Sequence, residues 1–386
     1  MKKKTIRDVF LLKYFMSCKI VYHRIIPFIY SLFVVCFIFY SYVLVDPNIT
    51  FVNHNWWNIL RSFLIPIGYY HRDISFLLYT FFVIFLFVFH FYFLKNYKKI
   101  PLRIIIITVS VLTVISYPLL THDFFNYLFD AKIFTFYHKN PYLFKALDFP
   151  HDPWIRFMHW VHRPYPYGPF FLIVSILPSF LSLGKFILSF FFLKILYTFF
   201  YCISVLLLKK MNRKWAFFYA THPLILIEGL VNAHNDFIAL SLAIIGLYFL
   251  LKKKQTMYGL ISILFSVGIK YITIPLIVLK KQMSQRFVLI IFIFQISIIL
   301  ILSLRGEIQP WYFLTLFAYI PFFETILFHL NIFFAGLLFS YYPYIRFGGW
   351  DSVEKIQLKH TLILVFTTIN CIYLIFIFAR KKSLTR

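Results

Sequence analysis

Long apolar runs separated by short basic stretches dominate the pattern of this 386-residue chain. Many runs approach the roughly 20 residues that an α-helix needs to cross a bilayer. They are too long and too uniformly apolar for the alternating strands of a membrane β-barrel. The pattern therefore predicts an all-α polytopic membrane protein. The predicted membrane segments lie near 25–45, 74–94, 104–120, 169–183, 186–208, 216–231, 236–251, 257–279, 287–304, 312–340 and 361–379.

Composition supports this reading and limits the partners. Hydrophobic residues make up 61% of the chain and charged residues 13%, whereas a soluble domain has about a quarter charged residues. The net charge of +26 is spread over short clusters between the apolar runs, as the positive-inside rule predicts for cytoplasmic turns. Contact with anionic lipids explains these clusters, and no nucleic-acid partner is expected.

The basic clusters also predict which loops face outward. If they are cytoplasmic, residues 46–73 and 121–168 lie outside. The segment 169–183, interrupted at Pro178, must then be re-entrant or a pair of half-helices, because a crossing there would carry the next basic cluster outside. Broken helices at membrane depth occur only where protein or a wet cavity covers the backbone, so this segment points toward a site.

The same reasoning makes 257–279 a hairpin of short helices with Lys270 near its tip. The segment 312–340 is expected to be broken, and the orientation of 312–360 stays open. Lys270 could pair with Glu228 or with an anionic lipid headgroup.

The loop after the third apolar run, "THDFFNYLFDAKIFTFYHKNPY", carries an unusual pair of acids. Residues 122–137 are predicted to form a helix at the membrane surface. Asp123, Asn126, Tyr127 and Asp130 follow i, i+3, i+4 and i+7, so they share one face. Helix capping alone would explain Asp123, but it does not explain Asp130.

The loop continues through a run of polar groups interleaved with Tyr and Trp. Arg163 is a candidate ligand for phosphate or pyrophosphate. An aromatic belt at the interface is the alternative explanation for the rings. The histidines, among them His159 and His162, lack the spacing of a metal site, and the four cysteines lack CxxC spacing.

A second cluster is "HPLILIEGLVNAHND". Glu228 and Asn232 are four residues apart on one predicted helix, which leads to His234, Asn235 and Asp236. An ionisable residue inside a membrane segment is costly and is a functional hypothesis by default. The alternative is a neutral or paired structural glutamate.

In chain order these motifs resemble the GT-C integral membrane glycosyltransferases, and they are most similar to the bacterial polyprenol-phosphate-mannose-dependent mannosyltransferases. The family's first large outer loop opens with an acid and an aromatic-rich helix, followed by an "xPY" step. Here these are "HDFFNYLFDAK" and "NPY", and "YGPF", "NAHND", the hairpin lysine and "PWY" follow in the same order. The resemblance covers about residues 104–345. The family's Gly-Arg step is replaced by Ala131-Lys132.

The resemblance implies a GT-C-like bundle of about 11–13 transmembrane or half-membrane helices with a large extracytoplasmic loop after the third helix. It divides the chain into two N-terminal spans (1–103), a catalytic membrane core (104–345) with the outer loop 121–168, and a C-terminal outer loop and last helix (346–386). The role of the first two spans stays open. An integral protein of the plasma membrane, with its active site on the extracytoplasmic face, is expected.

The implied reaction moves a hexose, mannose by family proximity, from a polyprenyl-phosphate donor to a lipid or glycan acceptor, with inversion. It would serve glycolipid synthesis in the cell envelope. Asp123 takes the position of the family's catalytic acid, expected to act as general base. Arg163 and Lys270, with Arg305 behind them, would hold the leaving phosphate. The remaining candidate substrate-binding residues are His122, Tyr127, Asp130, His162, Tyr167, Glu228, Asn232, His234, Asn235 and Asp236.

No cofactor is predicted. Related enzymes often carry a paired acid such as DxD, but Asp123 has no acidic neighbour, so a divalent metal is an open alternative that no motif supports. Two other functions stay open as well: a polymerase or ligase of lipid-linked oligosaccharides, and a lipid-sugar transporter without covalent chemistry. The chain lacks the Arg-rich outer loop expected of the first and the internal repeat often seen in the second.

Overall fold

A computed structural model describes residues 25–280 and 282–383. Within them the regular elements are helices, and an isolated bridge between Lys145 and Pro164 is the only β-type pairing. Seven of the described helices are long and apolar enough to cross a membrane. The predicted all-α membrane fold is therefore confirmed. The basic stretch at residues 2–7 lies outside the described residues.

The α-helices are labelled in chain order. They are α1 (Ile25–Leu44, ending in a 3₁₀ turn), α2 (Asn55–Tyr69), α3 (Arg72–Asn96), α4 (Leu102–Ile115), α5 (Asp123–Thr135), α6 (Pro169–Leu181), α7 (Phe186–Met211), α8 (Arg213–Thr221), α9 (Asn235–Tyr248), α10 (Thr256–Ile269), α11 (Gln285–Arg305), α12 (Ile320–His329), α13 (Asn331–Phe339), α14 (Tyr342–Phe347) and α15 (Val353–Ser383). Longer 3₁₀ helices cover Tyr271–Val278 and Pro310–Tyr319, and π-helices cover Ile225–Val231 and Phe249–Lys253.

The bundle has two chemically different ends. Helix α7 has 26 residues, a length of about 39 Å at 1.5 Å per residue. At its start Phe186 packs against Phe51 and Phe157 of two long loops. Beyond its other end, Arg213 donates to the carbonyls of Tyr97 and Ile100. We call these the loop end and the basic end, and their separation agrees with the predicted sorting of loops and basic clusters.

The first non-crossing segment differs from its prediction in detail. Helix α6 has 13 residues, about 20 Å, which is too short to cross the hydrocarbon core. It runs unbroken through Pro178, so the predicted interruption there is wrong. The helix packs along α5, where Ser179 and Thr135 share a hydrogen bond of 2.7 Å between their hydroxyl groups. A helix this short agrees with the prediction that the segment 169–183 does not cross the membrane.

The predicted hairpin is confirmed. Helix α10 and the 3₁₀ helix Tyr271–Val278 meet at Lys270. A close backbone approach fixes this tip, because a Cβ at Gly168 would collide with the carbonyl oxygen of Gly268. Glycine at both positions lets the start of α6 lie directly against the end of α10.

Several other segments break at prolines. Residues 216–231 do not form one helix: α8 and the π-helix are separated at His222, which is extended before Pro223. A residue before proline disfavours the α conformation. Helix α4 likewise ends at Ile115 rather than near 120, shortly before Pro118. The predicted break in 312–340 is confirmed as a 3₁₀ helix followed by α12 and α13.

Candidate active site

Helix α5 positions Asp123 at its first residue. The Thr121 hydroxyl accepts a hydrogen bond of 3.1 Å from the Asp123 backbone N–H, which fixes the entry into the helix. Residues 124–133 of this helix are all buried. It was predicted at the membrane surface, but the loop 136–168 and helices α6 and α7 pack around it. Asp123 itself keeps 18% of its side chain exposed, so it faces open space from a rigid support.

Two basic groups flank the carboxylate of Asp123. Arg163 Nη2 lies 4.0 Å from Oδ1, and His234 Nδ1 lies 3.9 Å from Oδ2. The guanidinium group of Arg163 stacks 4.7 Å above the Trp160 ring, which limits its movement. The arrangement brings together residues from the first large loop and from the start of α9, which are more than a hundred positions apart in the chain.

His234 is held from behind by a buried polar cluster. Its Nε2 lies 3.3 Å from Glu228 Oε2, and that oxygen accepts hydrogen bonds of 3.2 Å from Asn232 Nδ2 and from the Tyr341 hydroxyl. The imidazole stacks on Trp311 with ring centres 3.9 Å apart. Glu228 and His234 are fully buried, so their orientation is set by these contacts.

The backbone around this cluster is irregular. Glu228 lies in the π-helix Ile225–Val231, and Lys194 donates to the carbonyls of Leu230 (3.1 Å) and Val231 (2.5 Å) where that helix ends. Ala233 has φ of +56°, a left-handed conformation that costs energy for a residue with a side chain. Such π-turns and strained residues are frequent at functional sites. Here they direct His234 toward Asp123.

Asp236 and Lys270 form a second pair. Lys270 Nζ lies 3.0 Å from Asp236 Oδ2 and 5.3 Å from the centre of the Tyr312 ring. Of the two partners predicted for Lys270, Glu228 is therefore wrong, and an anionic lipid headgroup stays a prediction. Helix α9 turns Asp236 toward the hairpin tip, whereas Glu228 on the preceding π-helix contacts His234.

Asp123 forms part of the wall of two cavities. Cavity one has about 480 Å³ and contains both Arg163 and Lys270 on its lining, together with Tyr167 and Tyr312. Cavity two has about 210 Å³ and is lined by His122, Glu307, Trp350 and Lys359. Three further residues also line both cavities: Trp160, Gln309 and Trp311.

The predicted site residues thus fall into groups. Asp123, His122, Arg163, Tyr167 and Lys270 line the cavities. A second group is buried behind them: Tyr127, Glu228, Asn232, His234, Asn235 and Asp236.

Two candidates lie apart from both cavities and one lies beneath them. His162 is exposed, and Arg305 is exposed at the end of α11. Asp130 is buried two turns along α5, where burial raises its pKa to about 8. The nearby charge of Arg163 opposes this rise in pKa and that of Asp123 adds to it.

Sequence reasoning missed most of cavity two. Lys359 Nζ contacts Glu307 Oε2 at 3.1 Å and Gln309 Oε1 at 3.0 Å, and it lies 4.9 Å from the centre of the Trp350 ring. Its side chain is only 3% exposed. The sequence places Glu307 and Lys359 at the boundaries of two apolar runs, which is a weak signal. Nothing in the sequence shows that these two runs meet in the fold.

Neither cavity presents a recognisable metal site. Among residues 25–280 and 282–383, no group of three or more His, Cys, Asp or Glu side chains is placed to hold a metal ion. The cations available to an anionic ligand in cavity one are Arg163 and Lys270.

Comparison with family models places part of the chain in a known family. Residues 52–283 match the model of the MptA_B family, described as the N-terminal domain of alpha-(1->6)-mannopyranosyltransferase. The match includes Asp123, Arg163, His234 and Lys270. Comparisons with curated proteins and with solved structures found no match.

Proposed function

The chain belongs to the alpha-(1->6)-mannopyranosyltransferase family, a GT-C type of membrane glycosyltransferase, and from this premise we propose that it transfers mannose from a polyprenyl-phosphate donor to a lipid or glycan acceptor. Transfer proceeds with inversion in one displacement, on the extracytoplasmic face of the membrane. Asp123 is the general base.

The observation that carries this proposal is the position of Asp123 between two cavities. A transferase that works by direct displacement must hold donor and acceptor at the same time, on either side of its reacting atoms. A carboxylate on the shared wall can reach an acceptor hydroxyl in one cavity while the sugar enters from the other. We assign the donor to cavity one and the acceptor to cavity two.

The charges of cavity one suit a lipid phosphate. Arg163 and Lys270 lie on its lining and supply donors for the negative charge that grows on the leaving phosphate. Its wall includes Tyr271, and the 3₁₀ helix that begins there exposes Tyr271, Ile274 and Val278. An exposed apolar helix beside a cationic cavity provides a path for the polyprenyl tail.

The proposed step conserves atoms and charge. The acceptor oxygen forms a bond to the anomeric carbon of mannose while the bond from that carbon to the phosphate oxygen breaks, and its electron pair goes to the phosphate. The acceptor proton moves to Asp123. His234, 3.9 Å from Asp123 and fixed by Glu228, holds the carboxylate in place. Because two protein cations face the phosphate, the step is proposed to need no divalent metal.

The test is transfer of label from radiolabelled polyprenyl-phosphate mannose into membrane lipids by purified protein in detergent–lipid micelles. Wild type, Asp123→Asn and Asp148→Asn are compared with and without EDTA. Asp148 is an exposed acid of the same loop whose hydrogen bond from Lys145 N can be kept by an Asn oxygen, so it is a matched control.

We expect Asp123→Asn to lose at least about 100-fold in rate, since general-base catalysis contributes roughly 10²–10⁴. The control and the EDTA-treated enzyme should keep wild-type rates. Equal rates for the two variants would contradict the role of Asp123, and inhibition by EDTA would contradict a metal-independent step. A transporter would instead move the lipid-sugar across proteoliposomes without forming a product, and it would tolerate Asp123→Asn.

A further inference from the structure

A third cavity lies at the loop end and is not used by the proposed reaction. It has about 290 Å³ and is lined by Asp46, Asn48, Arg72, His122, His159 and Tyr344, among others. Asp46 and Asn48 come from the segment after α1, and Tyr344 from α14. These parts of the chain lie outside the family match at residues 52–283. The cavity therefore combines residues from inside the matched region, such as His122 and His159, with residues from outside it.

The third cavity adjoins cavity two. His122 and Tyr344 line both, and the Tyr344 hydroxyl lies 3.3 Å from His122 Nε2. His122 is also the residue directly before Asp123. A ligand that reaches Asp123 through cavity two can therefore extend past this pair into the third cavity.

The polar groups of the third cavity suit a hydroxyl-rich ligand better than a phosphate. The Arg72 guanidinium donates, the Asp46 carboxylate accepts, and the Asn48 side chain does both. Asp46 Oδ1 already accepts 2.7 Å from the Asn48 N–H, which fixes the carboxylate at the cavity wall. A phosphate next to this carboxylate would meet repulsion, whereas sugar hydroxyls can pair with donors and acceptors alike.

The two imidazoles strengthen this argument. His122 and His159 stack with ring centres 3.4 Å apart. Burial, with a smaller contribution from His159, lowers the pKa of His122 to about 3, and burial lowers the pKa of His159 as well. Both rings are neutral at pH 7, so they offer one donor and one acceptor nitrogen each and add no positive charge for an anion.

We propose that the third cavity binds the second sugar of the acceptor, so that the preferred acceptor is an oligosaccharide rather than a single lipid-linked sugar. This rests on the proposed function, with the terminal sugar of the acceptor in cavity two. It also gives the segment after α1 a role in acceptor selection.

The test compares acceptors that differ only in length: a mannoside, its α-(1→6)-linked dimannoside and trimannoside, all on the same lipid. For wild type we expect kcat/KM to rise at least tenfold from one sugar to two and to change less than threefold from two to three. Asn48→Ala should lose most of the first increase while keeping the wild-type rate on the single mannoside. His159→Ala should lose it as well, and it should also lower the rate on the single mannoside, because its ring stacks on His122 of cavity two.

Two matched variants control for nonspecific effects. Asn53→Ala lies in the same loop as Asn48, and His151→Ala lies in the same loop as His159. Both residues are exposed and line none of the three cavities. They should keep the length preference of wild type.

Equal kcat/KM for the mannoside and the dimannoside would overturn this inference and leave the proposed function standing, because transfer would still occur. The same holds if the length preference survives both Asn48→Ala and His159→Ala. Absence of transfer to every mannoside would instead contradict the proposed function and this inference with it. The two failures are thereby distinguished.

Discussion

Asp130 is a buried acid with no hydrogen bond from another side chain among the described contacts that surround it. Only 4% of the residue is exposed, and burial raises its pKa from 3.8 to about 8. The folded protein therefore holds a proton on Asp130 at neutral pH that the unfolded chain releases. A carboxyl group whose pKa rises on folding contributes stability below its unfolded pKa, and this contribution is lost as the pH rises through the folded pKa.

This sign gives a prediction for pH-dependent stability. Between pH 5 and pH 8, wild-type protein should lose up to about 1.4 kcal/mol per pH unit through Asp130. Asp130→Asn cannot titrate and resembles the protonated acid in shape, so its melting temperature should fall less over this range. Thermal unfolding of both proteins in the same detergent measures the difference. If the melting temperatures of wild type and Asp130→Asn change equally between pH 5 and pH 8, Asp130 is not buried in its protonated form.

Glu228 provides a second prediction at the scale of one atom. Glu228→Gln keeps an oxygen that can accept from Asn232 and Tyr341, but it removes the negative charge 3.3 Å from His234. His234 then loses its acidic neighbour and holds Asp123 less firmly, so we expect the transfer rate to fall roughly 10-fold, which corresponds to about 1.4 kcal/mol of transition-state stabilisation. The melting temperature should change little by comparison.

Glu324→Gln is the matched control for this rate measurement. Glu324 is paired with Lys214 at 2.6 Å and with Trp215 at the basic end, far from the cavities. The Glu324→Gln variant should transfer mannose at the wild-type rate. A wild-type rate for Glu228→Gln would show that His234 does not depend on this acid.

At the scale of elements, the contact of α6 with α10 shapes cavity one. Gly168 and Gly268 both line this cavity, next to Tyr167 and Lys270. In Gly168→Ala, the added Cβ would overlap the carbonyl oxygen of Gly268, so the two helix ends must separate. Overpacking of this kind costs about 1–3 kcal/mol. We expect a melting temperature several degrees lower and a higher KM for the donor, with a smaller change in the KM for the acceptor.

An unchanged melting temperature in Gly168→Ala would mean that the hairpin tip adjusts freely. An equal rise in both KM values would place the two helices at the acceptor rather than at the donor. The two constants are measured in the same transfer assay by varying one substrate at a time.

Only some of the helices and their positions could be predicted from the sequence. Apolar run length predicted most spans, because it depends on local chemistry, and the placement of the basic clusters predicted the hairpin around Lys270. The burial of α5 could not be read from its own residues, since a helix covered by a loop looks the same as one facing lipid. The π-helix that carries Glu228 also has no local signature. Its register follows from contacts such as the Lys194 side chain on the carbonyls of Leu230 and Val231.

Across the whole molecule, the cavities join parts of the chain that no local pattern connects. Lys359 of α15 meets Glu307 from the loop after α11, and Tyr344 of α14 meets His122. The motifs in the matched region identify Asp123, Arg163 and Lys270 as candidates because each is an unusual charge in an apolar sequence. The opposite wall comes from residues 307–359, whose charges at run boundaries have ordinary explanations as helix ends.

The orientation of the molecule in the membrane gives the last prediction. The three cavities lie at the loop end, whereas Lys209, Lys214 and the lysines at 252–254 lie at the basic end or its turns. The positive-inside rule predicts that the basic end is cytoplasmic and that the cavities lie outside. In a background without the native cysteines, Leu143→Cys should react with a membrane-impermeant maleimide on intact cells. Leu143 is suited to this because 75% of it is exposed at the loop end.

Gln255→Cys, exposed at the turn before α10, should react only after the membrane is permeabilised. The opposite labelling of the two positions would place the cavities in the cytoplasm. A soluble nucleotide sugar could then serve as the donor. The argument that Arg163 and Lys270 bind a lipid phosphate would no longer hold. Labelling as predicted leaves donors that are themselves delivered through the membrane, and it ties the cationic cavity to the lipid that carries the sugar.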